Sequence, residues 1–317
     1  MTGNAIATEG LTKHYGAVVG VDDLDLEVRA GEVFGFLGPN GAGKTTTIRL
    51  LMGLLYPTRG RASILGLDCW SDTVAVKRKV GYLPGETALC NRLTGEELIS
   101  FIAGFSDGGT EHAERLAERL ELDLTRRVRE SSRGMKQKLA LVLSLMKSPP
   151  VLIMDEPTSG LDPLTQVTLY EILNEYREAG TTILFSSHNL FEVERICDRV
   201  GIIREGGLVA TESIDGLRAK RVRHVEVAFL DGIPDGLASW PGVADVEGAG
   251  SRAEFKYKGD IDRLVKSISA YRVADLSVAH ASLEDVFLEY YGGGVAGDKG
   301  GDREGEGDSR AGGGEAP

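Results

Sequence analysis

The chain has 317 residues, 42% of them hydrophobic, which is enough for one large domain or two smaller ones around a sizeable core. Its net charge of −12 argues against a nucleic-acid binder held by a broad basic patch, so no nucleic-acid partner is expected. No apolar run reaches the roughly 18 residues needed to cross a bilayer, and the first residues carry no secretion signal. The cysteines, Cys69, Cys90 and Cys197, form no CxxC pair, so a reducing, cytoplasmic setting fits better than a zinc site or a disulfide framework.

In chain order, residues 24–28 alternate at period two and predict an antiparallel edge to a sheet. Residues 33–37 predict a buried strand, followed by a glycine-rich turn and a helix over 45–55. Residues 94–147 read as mainly helical: Thr94 and Glu97 have capping-box spacing, and further helices are expected over 111–122 and 136–147. This is a helical subdomain of about residues 90–147. Short apolar strands at 151–154, 182–185 and 200–203 alternate with helices at 164–179 and 190–197. Alternation of that kind predicts an α/β fold with a mainly parallel sheet, spanning residues 1–219.

The pattern changes near residue 220. Strands at 222–230, 252–258 and 273–278, with helices at 260–270 and 282–291, predict a small C-terminal α+β module over 220–291. Residues 292–317 are glycine-rich, mixed in charge and without aromatics, so they are expected to be disordered.

The turn after residue 37 reads Gly38, Pro39, Asn40, Gly41, Ala42, Gly43, Lys44, Thr45, Thr46. Gly38-x-x-x-x-Gly43-Lys44-Thr45 between a strand and a helix is a phosphate-binding loop, the mark of a P-loop NTPase core. Glycines let successive N–H groups point at phosphate oxygens, and the helix N-terminus adds partial positive charge. Lys44 is expected to reach the β- and γ-phosphates, and Thr45 to place its hydroxyl on Mg²⁺. Asp155 and Glu156, at the end of the 151–154 strand, supply the complementary carboxylates. Asp155 is expected to hold Mg²⁺ and Glu156 to polarise an attacking water.

With these motifs in order, residues 5–215 or so resemble the ATP-binding subunits of ABC transporters. The resemblance implies that Tyr15 stacks on adenine and that His188, in Ser186-Ser187-His188, reaches the γ-phosphate. It implies that Ser132 and Gly134, in Ser131-Ser-Arg-Gly-Met-Lys-Gln, donate to ATP bound on a second ATP-binding subunit, most simply a homodimer. Ser159 and Asp162, in Pro157-Thr-Ser-Gly-Leu-Asp-Pro, are then the polar contacts of a loop that communicates across that dimer. Two departures stand out. Arg133 replaces the first glycine of the signature, and Gly85 occupies the place of a metal-contacting glutamine, with Glu86 next to it. No metal role is assigned to Gly85 or Glu86.

Residues 281–291 resemble the end of subunits from ABC-2-type exporters, including daunorubicin-type resistance ATPases. The implied activity is ATP hydrolysis that drives a separate transmembrane permease, from a position peripheral to the inner face of the cell membrane. A soluble ABC ATPase acting on a ribosome or DNA, and a regulatory cassette, are the alternatives.

Overall fold

The computed structural model describes residues 3–105, 109–219 and 223–280; the helix expected over 282–291 and the tail at 292–317 lie outside them. Strands β1 (Asn4–Tyr15) and β2 (Val18–Arg29) form a long hairpin that turns at Gly16, whose φ of 63° suits a tight reversal. Strand β3 (Val33–Leu37) leads through the phosphate loop into helix α1 (Lys44–Leu51). That helix is shorter than expected because Gly53 adopts φ 61° and ends it.

Next come β4 (Arg59–Ile64), β5 (Leu67–Asp68), α2 (Thr73–Lys79) and β6 (Val80–Leu83). Helices α3 (Gly95–Ala103), α4 (Glu111–Arg119) and α5 (Arg133–Leu145) follow. The α3 capping box is present, with Glu97 N–H donating to Thr94 Oγ1 at 3.2 Å and Thr94 N–H to Glu97 Oε2 at 2.8 Å. The chain continues through β7 (Val151–Asp155), α6 (Pro163–Glu178), β8 (Thr182–Ser187) and α7 (Leu190–Ile196) to β9 (Arg199–Arg204), β10 (Gly207–Ser213) and α8 (Ile214–Ala219).

Three sheets result. One is six-stranded, ordered β10-β9-β3-β8-β7-β6, and parallel except for β10. Every residue of β3, β7 and β8 is buried, as expected for central strands covered on both faces. The second sheet is antiparallel, ordered β2-β1-β4-β5. Residues 24–28 therefore do not edge the parallel sheet: β2 spends its ladder on β1 and reaches the six-stranded sheet's β9–β10 turn by Asp22 N–H donating to Gly206 C=O at 2.9 Å. Ile48 and Leu51 of α1 pack in one core with Ile6 and Leu24 of this sheet and Phe34 and Ile153 of the other. The opposite face of the parallel sheet packs against α3 to α6.

The third sheet is built from β11 (Arg223–Phe229), β12 (Val243–Ala249), β13 (Arg252–Tyr257) and β14 (Val273–His280), ordered β12-β13-β11-β14 and antiparallel. Helix α9 (Ile261–Ile268) covers one face, where Leu264 and Ile268 meet Val225, Val227, Phe255 and Tyr257.

Candidate active site

The parallel order β3-β8-β7 sets the site at the carboxyl ends of three adjacent strands. In register, Leu37 at the end of β3 sits beside Ser187, and Asp155 at the end of β7 sits beside Ser186. The loop after β3 therefore opens next to the carboxylates after β7, with β8 between them.

The loop geometry requires its glycines. A Cβ on Gly38 would lie 2.5 Å from the Ile203 carbonyl oxygen, and one on Gly43 would lie 2.6 Å from that of Gly20. Gly41 and Gly43 also adopt φ of 82° and 108°, a left-handed turn that feeds directly into α1. The first N–H groups of α1 point out of the helix into that turn. Lys44 lies across the loop: its Nζ donates to the carbonyls of Gly38 at 2.7 Å and Pro39 at 3.1 Å. Only 5% of Lys44 is exposed, and this burial pulls its pKa below the usual lysine value, against the opposing pull of Glu156 and Asp155. A cradle of glycines, the N–H groups at the start of α1 and one retained cation fits a polyphosphate.

Asp155 is buried, yet both of its oxygens are satisfied. Oδ2 accepts from Thr45 Oγ1 at 2.7 Å and Oδ1 from Ser186 Oγ at 2.5 Å. Thr45 and Asp155 thus meet, as expected of a hydroxyl and a carboxylate that share a hard cation. No group of three or more His, Cys, Asp or Glu among the described residues makes a cage on its own. The donor set instead fits Mg²⁺ held by one carboxylate and one hydroxyl, with nucleotide phosphates and water completing its shell.

Glu156 carries a positive φ of 48°, uncommon for a residue with a side chain. Its N–H donates to the Ser186 carbonyl at 3.2 Å and to Ser186 Oγ at 3.1 Å, which holds the backbone there. The turn brings Glu156 Oε1 to 3.1 Å from His188 Nδ1 and 3.6 Å from Lys44 Nζ. Ser186, which fastens both carboxylate residues, had no role in the sequence reading, although it stands in the same Ser-Ser-His segment as His188.

Tyr15 is half exposed at the end of β1, with Lys13 Nζ 5.4 Å from its ring centroid. A Cβ on Gly20 would fall 2.8 Å from the Tyr15 ring and 3.2 Å from Thr46 Cγ2, so the ring stands beside the first turn of α1. An aromatic face next to a phosphate cradle suits a nucleobase.

Ser132 and Gly134 are not part of this constellation. Ser132 caps α5 by accepting from Met135 N–H at 3.2 Å, and among the described residues neither it nor Gly134 bonds to the phosphate loop, Glu156 or His188. Arg133 turns toward its own chain and donates to Ser159 Oγ at 3.0 Å. Asp162 caps α6, accepting from Thr165 N–H at 3.0 Å and Thr165 Oγ1 at 2.7 Å, and these bonds hold its carboxyl below the usual range. Gly85 abuts the Asp155 carboxylate: a Cβ there would lie 3.0 Å from Asp155 Oδ2. Gly85 and Glu86 both line a neighbouring cavity of about 470 Å³, with Thr87, Arg133, Lys136 and Gln137. Sequence reasoning also missed Gln137, which is buried and accepts from Thr87 Oγ1 at 3.0 Å while donating to the Pro157 carbonyl at 3.0 Å.

Comparison with known proteins follows the same lines. Residues 21–159 match the ABC transporter family. The bacitracin transport ATP-binding protein BcrA of Bacillus licheniformis is 32% identical over 310 residues, covering 92% of this chain and 99% of that protein. The daunorubicin resistance ATP-binding protein DrrA2 of Streptomyces coeruleorubidus is 33% identical, covering 92% of this chain and 96% of its own. The probable multidrug ABC transporter ATP-binding protein YbhF of Escherichia coli is 36% identical over 73% of this chain, which spans 42% of YbhF's length. A solved ATP-binding subunit of an ABC transporter superposes with a TM-score of 0.63 at 34% identity, covering 68% of this chain and 92% of that one.

Proposed function

The chain belongs to the ATP-binding proteins of the ABC transporter family, and from that premise we propose that it is the ATP-hydrolysing subunit of an ABC-2-type exporter, driving a separate transmembrane permease. The observation that carries the hydrolytic reading is the convergence on Glu156 Oε1 of His188 at 3.1 Å and Lys44 at 3.6 Å, beside the Thr45–Asp155 pair.

In this reading Lys44 and the N–H groups of Gly41 and of residues 43–46 bind the phosphates, and Tyr15 stacks on the adenine. Thr45 and Asp155 hold Mg²⁺, which supplies charge neutralisation at the phosphates when bound. Glu156 orients a water and accepts its proton, with His188 steadying the carboxylate and reaching the γ-phosphate. Ser132 and Gly134 act on the nucleotide of a second copy, which is why they stand apart from the phosphate loop of their own chain.

The exporter reading is supported by relatives named for bacitracin transport, daunorubicin resistance and multidrug transport. Among the described residues no helix is long and apolar enough to cross a membrane. In this reading the subunit works at the cytoplasmic face, held there by its permease. Residues 1–219 form the ATP-binding domain and 220–291 an accessory module.

The experiment is phosphate release by the purified chain and by Glu156→Gln, with and without a co-purified permease. The variant should bind ATP, stop turning it over and accumulate as a nucleotide-held dimer. Equal phosphate release from both forms would remove Glu156 as the base. A permease that neither co-purifies nor stimulates turnover would remove the transport reading.

A further inference from the structure

We propose that Glu192 is a positioning residue that fixes His188 against Glu156, a role that rests on the hydrolytic reading above. His188 is 57% exposed, so packing gives its imidazole little orientation, and its recorded partner is Glu156 Oε1. Its place must be set by the backbone on either side.

Strand β8 ties that backbone to Glu156 only as far as Ser186 and Ser187, and a carboxylate adds a side-chain fastening next to His188 itself. Glu192, in the first turn of α7, accepts from Ser187 Oγ at 2.6 Å through Oε2 and from Thr158 Oγ1 at 2.8 Å through Oε1. Ser187 immediately precedes His188, and Thr158 lies two residues beyond Glu156. Both hydroxyls belong to buried residues, at 1% and 6% exposure, where a lost partner is costly, and Ser187 Oγ has only the longer contact to the Asn189 carbonyl, at 3.2 Å, as a second acceptor. Ser187 Oγ also accepts the Asn189 N–H at 2.8 Å, and Asn189 caps α7 by accepting from Phe191 N–H at 3.0 Å. His188 is therefore carried on a short strap pinned at both ends. Glu192 ties that strap to the segment leaving Glu156, and so it sets the separation of the two side chains without touching either. A carboxylate suits this because it accepts from both hydroxyls at once.

The test compares the full chain with Glu192→Ala, Glu192→Gln and Thr158→Val. Glu192→Ala should lower kcat about 10–100-fold, the scale of an ångström-size misplacement, while KM and the Kd of a fluorescent ATP analogue stay within about twofold. Glu192→Gln, which keeps the shape and one acceptor, should restore much of the loss. Thr158→Val should cost less, and adding it to Glu192→Ala should cost nothing further. A kcat unchanged in Glu192→Ala, or a loss that tracks weaker ATP binding or a lower fraction folded, overturns the proposal.

A second readout needs no turnover. The His188 imidazole resonance of the nucleotide-free chain, assigned by its loss in His188→Ala, should shift in Glu192→Ala and recover in Glu192→Gln. If the wild-type chain released no phosphate, the hydrolytic reading would fail; the positioning role would still be decided, because an imidazole signal unmoved in Glu192→Ala overturns it.

Discussion

Restoring a side chain at Gly85 should impair the site, although glutamine is the residue that the resemblance to ABC subunits leads one to expect there. A Cβ on Gly85 would lie 3.0 Å from Asp155 Oδ2 and 3.3 Å from its Cγ, inside ordinary contact distance. The carboxylate would have to retreat by a few tenths of an ångström. It has little freedom to do so, because Thr45 holds Oδ2 at 2.7 Å and Ser186 holds Oδ1 at 2.5 Å. Overpacking of this kind costs about 1–3 kcal/mol, and with some local give we expect about 1–2 kcal/mol, roughly 5–30-fold in an equilibrium constant. Because the strain falls on the oxygen proposed to hold Mg²⁺, it should appear in the Mg²⁺-dependent part of nucleotide affinity. Titration of a fluorescent ATP analogue with Mg²⁺ should show that loss in both Gly85→Ala and Gly85→Gln. The same titration in EDTA should match wild type within about twofold. A Gly85→Ala variant with wild-type Mg²⁺-supported binding and turnover would refute the reasoning, since the neighbours would then have yielded at no cost.

Tyr15→Ala should weaken ATP binding about tenfold, the scale of one aromatic contact, while Tyr15→Trp stays near wild type. Inorganic triphosphate, which has no base to stack, should compete equally well against both variants; a triphosphate loss in Tyr15→Ala would mean that the loop itself had moved. Lys44 gives a pH signature. Its folded pKa lies below 10.5 because it is buried, so at alkaline pH the unfolded chain keeps a proton that the folded chain has released. Stability therefore rises with pH across the window from that lowered pKa up to 10.5. Melting curves taken over alkaline pH up to 10.5 should show the nucleotide-free wild type gaining on Lys44→Met, and parallel pH dependences would contradict the shift.

The phosphate loop, the Asp155–Glu156 pair and the alternation of buried strands with helices were legible in the sequence because each is a local pattern. A strand buried on both faces needs a continuous apolar run, and residues 33–37, 151–154 and 182–185 supply it. Strands β6 and β12 were not visible. The first is four residues long with a glycine inside it, and the second is largely exposed, so neither shows a clear period. Sheet membership was not local either. Residues 24–28 have the alternation of an edge strand, but only the register with β1 decides that they belong to a separate sheet. The same limit explains Ser186, Gln137 and Glu192. Each acts through a residue about 30 or 20 positions away, or through a neighbouring loop, and a serine, a glutamine or a helix-face glutamate has no spacing that announces such a partner.

Arg133 takes its meaning from the loop that follows Glu156. Gln137 fastens Pro157 to α5 from a buried position, and Arg133 adds an exposed second tie at Ser159. Its side chain reaches Ser159 past Gly160, whose Cα carries no Cβ to block it; one added there would sit 3.4 Å from Arg133 Nε. Gly134 approaches the same glycine from the helix, where a Cβ would lie 3.0 Å from the Gly160 carbonyl oxygen. The arginine is therefore accommodated by close contact at two glycines and does not displace the Ser132 cap, which remains on Met135 N–H. Thr158, in the same loop, reaches the His188 strap through Glu192, and Thr87, two residues past Gly85, reaches the loop itself at Pro157 through Gln137. A displacement of α5 would thus pull on one loop to which Glu156, the strap and the segment beside Asp155 are all attached. In the proposed head-to-tail pair, closure of one subunit over its partner's nucleotide would be felt at its own Glu156 through that loop.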